Sequence, residues 1–329
     1  MKKMAILGAT GAVGREMLKI LEERHFPLSS LKLLSGPKSA GSLIPFGGEM
    51  IRVEKAEESS FRGCDLVLGA AENPVTLHFA PFIRAAGAVF VDNSSAFRLE
   101  EDVPLVVPEI NPEDAQKHRG IIANPNCSTI ITLVGVAAIH RITPIESMIV
   151  STYQAASGAG QAGLEELKEQ ISALAAGEKP AVNAFRYQLA CNLIPEIGSP
   201  AADAYTSEEM KMQNEGRKIL HQPGLAVSCT CVRVPVMRSH SISALIRTKE
   251  AVSPEEAKKA VSEAPGCRLV DNLSEHCYPM PLDTSDQDLV YVGRIRRDLT
   301  AENGLNLFIC GDQIRKGAAT NAVQIAELL

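Results

Sequence analysis

Gly8-Ala9-Thr10-Gly11-Ala12-Val13-Gly14 limits what this chain can fold into more than any other stretch. It follows a short apolar run, Met4-Ala5-Ile6-Leu7, that reads as a strand. It opens a segment, residues 16–23, in which Met17, Leu18, Ile20 and Leu21 fall on one side of a helix. A strand, a glycine turn and a helix in that order begin a doubly wound α/β domain. The G-x-x-G-x-x-G spacing is a relative of the dinucleotide fingerprint. Glycine lets the backbone approach a pyrophosphate, whose charge then faces the helix N-terminus. A glycine turn made only for packing is the alternative, and the strand–turn–helix setting favours the nucleotide site.

The first half goes on alternating. Residues 31–34, 65–68, 88–91 and 121–123 read as buried strands, which implies a parallel sheet covered on both faces. The second half changes character. Residues 148–154, 226–236, 241–248, 289–296 and 305–310 read as longer strands, several with alternation, and helical patterns at 163–176, 207–220 and 254–264 intervene. That half is expected to be α+β with a mostly antiparallel sheet. Residues 179–204, with Pro180, Pro195, Gly198 and Pro200, read as an irregular excursion, and 315–329 as a helix returning to the first domain. At 329 residues two domains are expected. We place one at 1–126 plus 314–329 and the other at 127–313.

An apolar fraction of 45% with both charge signs interspersed describes a globular protein, and the net charge of −6 without a long basic run argues against nucleic acid. The apolar run after Met1-Lys2-Lys3 breaks at Gly8, which does not suit a signal peptide. The longest apolar stretch, 130–139, is about half the ~20 residues of a membrane span. Eight cysteines without a secretory signal read as reduced thiols, hence a cytoplasmic protein. Cys229-Thr230-Cys231 has no matching Cys/His cluster. Its alternation suits one strand with side chains on opposite faces, and no metal site is expected.

The chemistry centres on Cys127, in Asn124-Pro125-Asn126-Cys127-Ser128-Thr129. A strand-like run leads into it and a helix-compatible run follows, so the sulfur is expected near a helix N-terminus. There the positive end of the macrodipole favours a thiolate over a thiol that titrates near ~8.5. The bland alternative is a buried cysteine acting as a small hydrophobe, and the flanking polar residues make a poor core. After the second strand, Ser35-Gly36-Pro37-Lys38-Ser39-Ala40-Gly41 carries no acid for a ribose 2′-hydroxyl. Lys38 and the serines suit a 2′-phosphate, hence NADP; a solvated turn lysine is the alternative. Gln154 ends a strand, where its amide is either structural or able to donate and accept towards substrate. Arg233 and His240 lie seven apart around a turn. An arginine can grip a carboxylate with two parallel bonds, and a histidine can move protons near neutral pH. Glu208 and Lys211 share a helix face, by default an ion pair, and Arg98 follows a strand in a polar loop, by default solvated.

Across essentially the whole chain, these residues resemble aspartate-β-semialdehyde dehydrogenases. The resemblance is carried by G-A-T-G-A-V-G, S-A-G, V-D-N-S-S-A-F-R, V-P-E-I-N, N-P-N-C-S-T, Y-Q-A-A-S-G-A-G, R-V-P-V-x-R-S-H-S and G-D-Q-I-R-K-G-A-A. It implies a Rossmann-like NADP-binding domain and a catalytic, dimerising domain in a homodimer. It also implies NADPH-dependent reductive dephosphorylation of 4-phospho-L-aspartate to L-aspartate 4-semialdehyde, on the route to lysine and diaminopimelate, threonine, methionine and isoleucine. By the resemblance Cys127 is the nucleophile that becomes a thioester and His240 the acid/base, while Gln154 orients the acyl group. Arg233, Glu208, Gln154 and Asn126 bind substrate, and Arg98 and Lys211 bind phosphate. Gly8, Thr10, Gly11, Ala12, Val13, Lys38, Ser39, Ser157, Gly158 and Gln313 contact the cofactor. Members often carry arginine where this chain has Lys38, so the charge survives but the planar fork does not. Two rivals stand beside this reading. N-acetyl-γ-glutamyl-phosphate reductase lacks the need for an acid such as Glu208, and a non-catalytic nucleotide-binding paralogue would have lost the Cys or the His.

Overall fold

In the computed structural model, which describes residues 1–329, the glycine turn starts where the first strand stops. The chain divides into two units, Met1–Asn126 with Ala318–Leu329, and Cys127–Gly317. The first unit is built on a seven-stranded sheet ordered β3-β4-β2-β1-β5-β6-β7. Its strands are β1 (Lys2–Leu7), β2 (Leu28–Ser35), β3 (Leu43–Phe46), β4 (Glu49–Lys55), β5 (Leu66–Gly69), β6 (Val89–Asp92) and β7 (Ile121–Ala123). All neighbours pair in parallel except β3 and β4. The strands buried on both faces, such as Leu66–Gly69, read as unbroken apolar runs for that reason. Helix α1 (Ala12–Glu23) follows β1, and α2 (Asn73–Ala85) connects β5 to β6. α1 starts earlier than residue 16 because the glycine turn feeds straight into it. It packs Met17, Leu18, Ile20 and Leu21 into one cluster with Ala322, Val323, Ile325 and Ala326 of the C-terminal helix, Thr320–Glu327. The sheet order reverses beside β1, the switch point at which such sheets bind ligands.

The second unit holds a six-stranded sheet ordered β11-β12-β13-β10-β8-β9. Its strands are β8 (Ile145–Gln154), β9 (Ala226–Arg233), β10 (His240–Thr248), β11 (Cys267–Leu269), β12 (Val290–Arg297) and β13 (Gly304–Gly311). The central pairings are antiparallel, and the two edge strands pair in parallel. Helices α3 (Cys127–Ile142), α5 (Ser207–Ile219) and α6 (Pro254–Glu263) pack on one face, and α4 (Gly160–Ala175) follows β8. α3 is buried from Ser128 to Ile139, which explains why its sequence is apolar on every side. The face towards the helices carries Met148, Val150, Ile242, Ala244, Leu307 and Ile309, all buried. The opposite face leaves Ile149 and Tyr153 exposed.

Four expectations are revised. β9 stops at Arg233 instead of 236, because Pro235 has no N–H for the ladder and Val236 N–H turns back to Val234 O. The turn between Arg233 and His240 does not join neighbouring strands: β9 and β10 flank β8 on opposite sides, and residues 234–239 cross its end. Cys229 and Cys231 share a face, since alternate residues of a strand point the same way, and their sulfurs lie 3.7 Å apart. The final segment is a π-turn, Arg315–Ala319, before the helix begins.

Candidate active site

The link Asn124-Pro125-Asn126 delivers Cys127 as the first residue of α3, whose N-terminal N–H groups have no partners within the helix. Cys127 Sγ lies 3.6 Å from His240 Nε2. His240 begins β10 and is fully buried. Ala155 N–H donates to His240 Nδ1 at 3.1 Å, so the neutral ring carries its proton on Nε2, the nitrogen nearest the sulfur. Burial, then the Arg233 charge, pushes the His240 pKa down to about 3, with Glu208 opposing. The ring is therefore neutral at physiological pH, and in this tautomer it serves the sulfur as a hydrogen-bond donor.

Gln154, at the end of β8, has its amide orientation set by two neighbours. Thr152 Oγ1 donates to Gln154 Oε1 at 3.2 Å, and Gln154 Nε2 donates to Glu208 Oε1 at 3.2 Å. Gln154 Nε2 also lies 3.4 Å from His240 Nε2. Both nitrogens are then donors, an arrangement suited to an acceptor that arrives with substrate. Glu208 sits in the first turn of α5, whose start is fixed by a capping box between Thr206 and Glu209. Its other oxygen takes Lys211 Nζ at 2.8 Å, the expected helix-face pair, here attached to the Gln154–His240 group. Arg233 ends β9, is buried, and donates Nη1 to Ala155 O at 2.6 Å. A cavity of about 250 Å³ opens beside Arg233, lined by Phe185, Ile194, Ile197 and Gly198 of the irregular excursion. A larger one, about 630 Å³, lies by Glu57, Arg62 and Phe82 in the first unit and contains none of the expected site residues.

The turn after β8 brings in Ser157 and Gly158. A Cβ on Gly158 would stand 2.6 Å from Arg233 Nη1 and 3.3 Å from His240 Cε1, so any side chain there displaces both. Ser157 Oγ accepts from Gln313 Nε2, and Gln313 Oε1 accepts Ser239 N–H at 2.9 Å. Three residues that sequence reasoning did not assign lie in the same group. Asp312, fully buried, accepts Arg238 Nε at 2.5 Å and Asp286 N–H at 2.6 Å on one oxygen, and the N–H groups of Ile314 and Arg315 on the other. It thereby holds Arg238, two residues before His240. A Cβ on Gly317 would lie 2.9 Å from Cys127 Cβ, so the π-turn packs directly against the cysteine. Asp312 and Gly317 belong to the quoted G-D-Q-I-R-K-G-A-A run, but no spacing in it signals contacts so distant in sequence.

In the first unit the glycine turn is sterically required. Gly8 has φ +90°, a Cβ on it would meet Ala70 O at 2.5 Å, and a Cβ on Gly14 would meet Gly8 O at 2.3 Å. Gly11 caps α1, Ala12 and Val13 begin it, and no acid occupies its first turn, so its N-terminus suits a pyrophosphate. Thr10 Oγ1 and Ser35 Oγ are 2.8 Å apart, which joins the glycine turn to the end of β2. Lys38 is exposed and Ser39 half-buried in the turn that follows. These residues fit a dinucleotide. Arg98 is buried, not solvated: Nε donates to Asn124 O and Nη2 to Asn93 O, both at 2.9 Å. It braces the loops after β6 and β7. Asn126 is buried immediately before Cys127.

Residues 3–118 match the family described as semialdehyde dehydrogenase, NAD binding domain, and residues 136–316 match semialdehyde dehydrogenase, dimerisation domain. Aspartate-semialdehyde dehydrogenase of Synechocystis sp. is 51% identical over 327 residues, 99% of this chain and 97% of that protein. The crystal structure of aspartate semialdehyde dehydrogenase II from Vibrio cholerae superposes with a TM-score of 0.97 at 42% identity, covering 100% of this chain and 98% of that one. The same enzyme complexed with ASA gives the same figures, a TM-score of 0.97 at 42% identity.

Proposed function

The chain belongs to the aspartate-semialdehyde dehydrogenase family, and from that premise we propose that it makes L-aspartate 4-semialdehyde from 4-phospho-L-aspartate, reversibly, through a thioester on Cys127. The observation that carries the reading is the Cys127–His240 pair at 3.6 Å, at the start of α3 and joined to Gln154 and Glu208.

The Cys127 thiolate attacks the acyl carbonyl, a C–S bond forms, and phosphate leaves with the electrons of the C–O bond. Covalent catalysis divides one hard step into two easier ones. A thioester accepts hydride better than a carboxylate, being uncharged and less resonance-stabilised. The dinucleotide, when bound, supplies that hydride. The C–S bond then breaks, and the sulfur leaves as a thiolate beside His240 Nε2–H. In the oxyanion stages, N–H groups at the start of α3 and the Gln154 amide are donors, each worth roughly 3–4 kcal/mol in well-placed cases. His240, the proposed acid/base, meets the sulfur through Nε2. With Nδ1 taken by Ala155 N–H, that atom is a hydrogen-bond donor that steadies the departing thiolate, and taking up the thiol proton there requires the ring to carry its own proton on Nδ1 instead. Arg233 binds the substrate α-carboxylate, Glu208 the α-ammonium, and Lys211 with Arg98 the phosphate; Asn126 completes the substrate contacts.

Thr10, Gly11, Ala12, Val13 and the Gly8 turn take the pyrophosphate. Lys38 and Ser39 take a 2′-phosphate, which makes NADP the cofactor, and Ser157, Gly158 and Gln313 approach the nicotinamide. Two copies join through the open face of the second sheet. Glu208 speaks against N-acetyl-γ-glutamyl-phosphate reductase, because an acetamide offers no ammonium partner for it. The retained Cys127 and His240 speak against a non-catalytic paralogue.

The test is the absorbance of reduced nicotinamide with aspartate semialdehyde and phosphate, with NADP and NAD in parallel, and with N-acetylglutamate semialdehyde as the competing substrate. Phosphate-dependent reduction with the first aldehyde is expected; reduction only with the second would overturn the reading.

A further inference from the structure

The turn after β2 holds no acid, and two cations beside it are uncommitted. Lys38 lies exposed within it. Arg52, on the neighbouring β4, places Nη2 3.8 Å from the position a Cβ on Gly41 would take. The loop is fastened to that strand next to Arg52: Gly41 N–H donates to Val53 O at 2.8 Å, and Val53 N–H donates to Ser42 O at 2.8 Å. Neither the Arg52 nor the Lys38 side chain forms a hydrogen bond or ion pair within the chain. A guanidinium with no partner therefore stands beside Gly41, two residues on from Ser39, which is assigned above with Lys38 to a 2′-phosphate.

We propose that Arg52 is a specificity-determining residue for the 2′-phosphate of the dinucleotide. It supplies, from β4, the two-pronged grip that Lys38 cannot give from the turn itself. The inference rests on the NADP reading and deepens it. An ammonium acts as a point charge, whereas a guanidinium presents parallel N–H donors matched to two phosphate oxygens. Between them the two cations neutralise a dianion, and a ribose 2′-hydroxyl in the same place finds no carboxylate to accept its proton. The arrangement therefore discriminates by attraction to the phosphate and by the lack of a partner for the hydroxyl.

Calorimetric titration of the full chain with 2′-phospho-AMP and with AMP separates phosphate recognition from turnover, and kcat/KM with NADP and with NAD gives the same ratio in catalysis. Arg52→Gln is expected to lower the preference for the 2′-phosphate roughly tenfold or more, the range of a charge-assisted pair. Arg52→Lys should keep part of it, and raising the salt should shrink the difference, since the site is exposed. A thermal melt of each variant checks that β4 still folds. If wild-type chain prefers 2′-phospho-AMP but Arg52→Gln keeps that preference intact, the inference is overturned while the NADP reading stands. If wild-type chain shows no preference at all, the NADP reading fails and takes this inference with it.

Discussion

A sulfur at the first position of a helix and 3.6 Å from a neutral imidazole has two sources of support for its negative charge, the helix terminus and Nε2–H. A serine hydroxyl in the same place would ionise far too weakly to use either. Cys127→Ser is therefore expected to bind NADP as before and to lose nearly all turnover; turnover close to wild type would remove the proposed nucleophile. Arg233 is sequestered from water and bonded to Ala155 O, so a lysine there keeps the charge without the fork. Arg233→Lys should raise KM for the semialdehyde and lower kcat, and unchanged kinetics would show that Arg233 does not touch substrate. His240 gives a pH signature. Its pKa is about 3 when folded, below the ordinary 6.5, so between those values the unfolded chain holds a proton that the folded chain does not. Its contribution to stability is thus fully present above pH 6.5 and is lost progressively as pH falls towards 3. Asp92, whose pKa burial raises, works with the opposite sign, so the His240 effect has to be read by difference. Urea midpoints of wild type minus His240→Gln should fall between pH 7.5 and pH 5. A flat difference would mean that the ring is not held neutral.

The elements that carry these residues were legible in the sequence to unequal degrees, for physical reasons. β1, the glycine turn and α1 declare themselves because each local signal agrees with the buried face that forms. The β3–β4 hairpin does not, because most of Glu49–Lys55 faces solvent and shows no apolar pattern. Cys127 and His240 stand out by their chemistry. The positioning of His240 does not, because it depends on residues distant in the chain. Residues 234–239 pass over the end of β8 with Ser239 at φ +77°, an unfavourable backbone for a side chain that is not glycine. That strain is held by Gln313 on Ser239 N–H and by Asp312 on Arg238. Asp312→Asn keeps the shape but weakens the grip on Arg238. It should lower kcat more than it raises KM and slow alkylation of Cys127, with Arg238→Met doing the same and the double variant adding little. Additive losses in that cycle would show that the two residues act separately.

At the scale of the molecule, one surface is left without a partner by the fold that buries everything behind it. Register places Ile149 opposite Leu245, Ser151 opposite Ser243, and Tyr153 opposite Val232. Tyr153 and Phe308 bring their rings within 6.3 Å on that face, while the reverse face is closed by α3, α5 and α6. Ile149 is 53% exposed and Tyr153 38%, unusual for residues at the middle and end of a central strand. An apolar sheet face of this kind is what a second copy covers, and an isologous pair would set each patch against itself. Ile149→Asp puts a carboxylate at the centre of that patch, opposite its own image, where neither copy offers a cation on the same strand position. Sedimentation should show wild type as a dimer and Ile149→Asp as a weakened dimer or monomer. The melting temperature should then depend on protein concentration in the wild type more than in the variant. A dimer of undiminished affinity in Ile149→Asp would place the contact on another surface of residues 127–317.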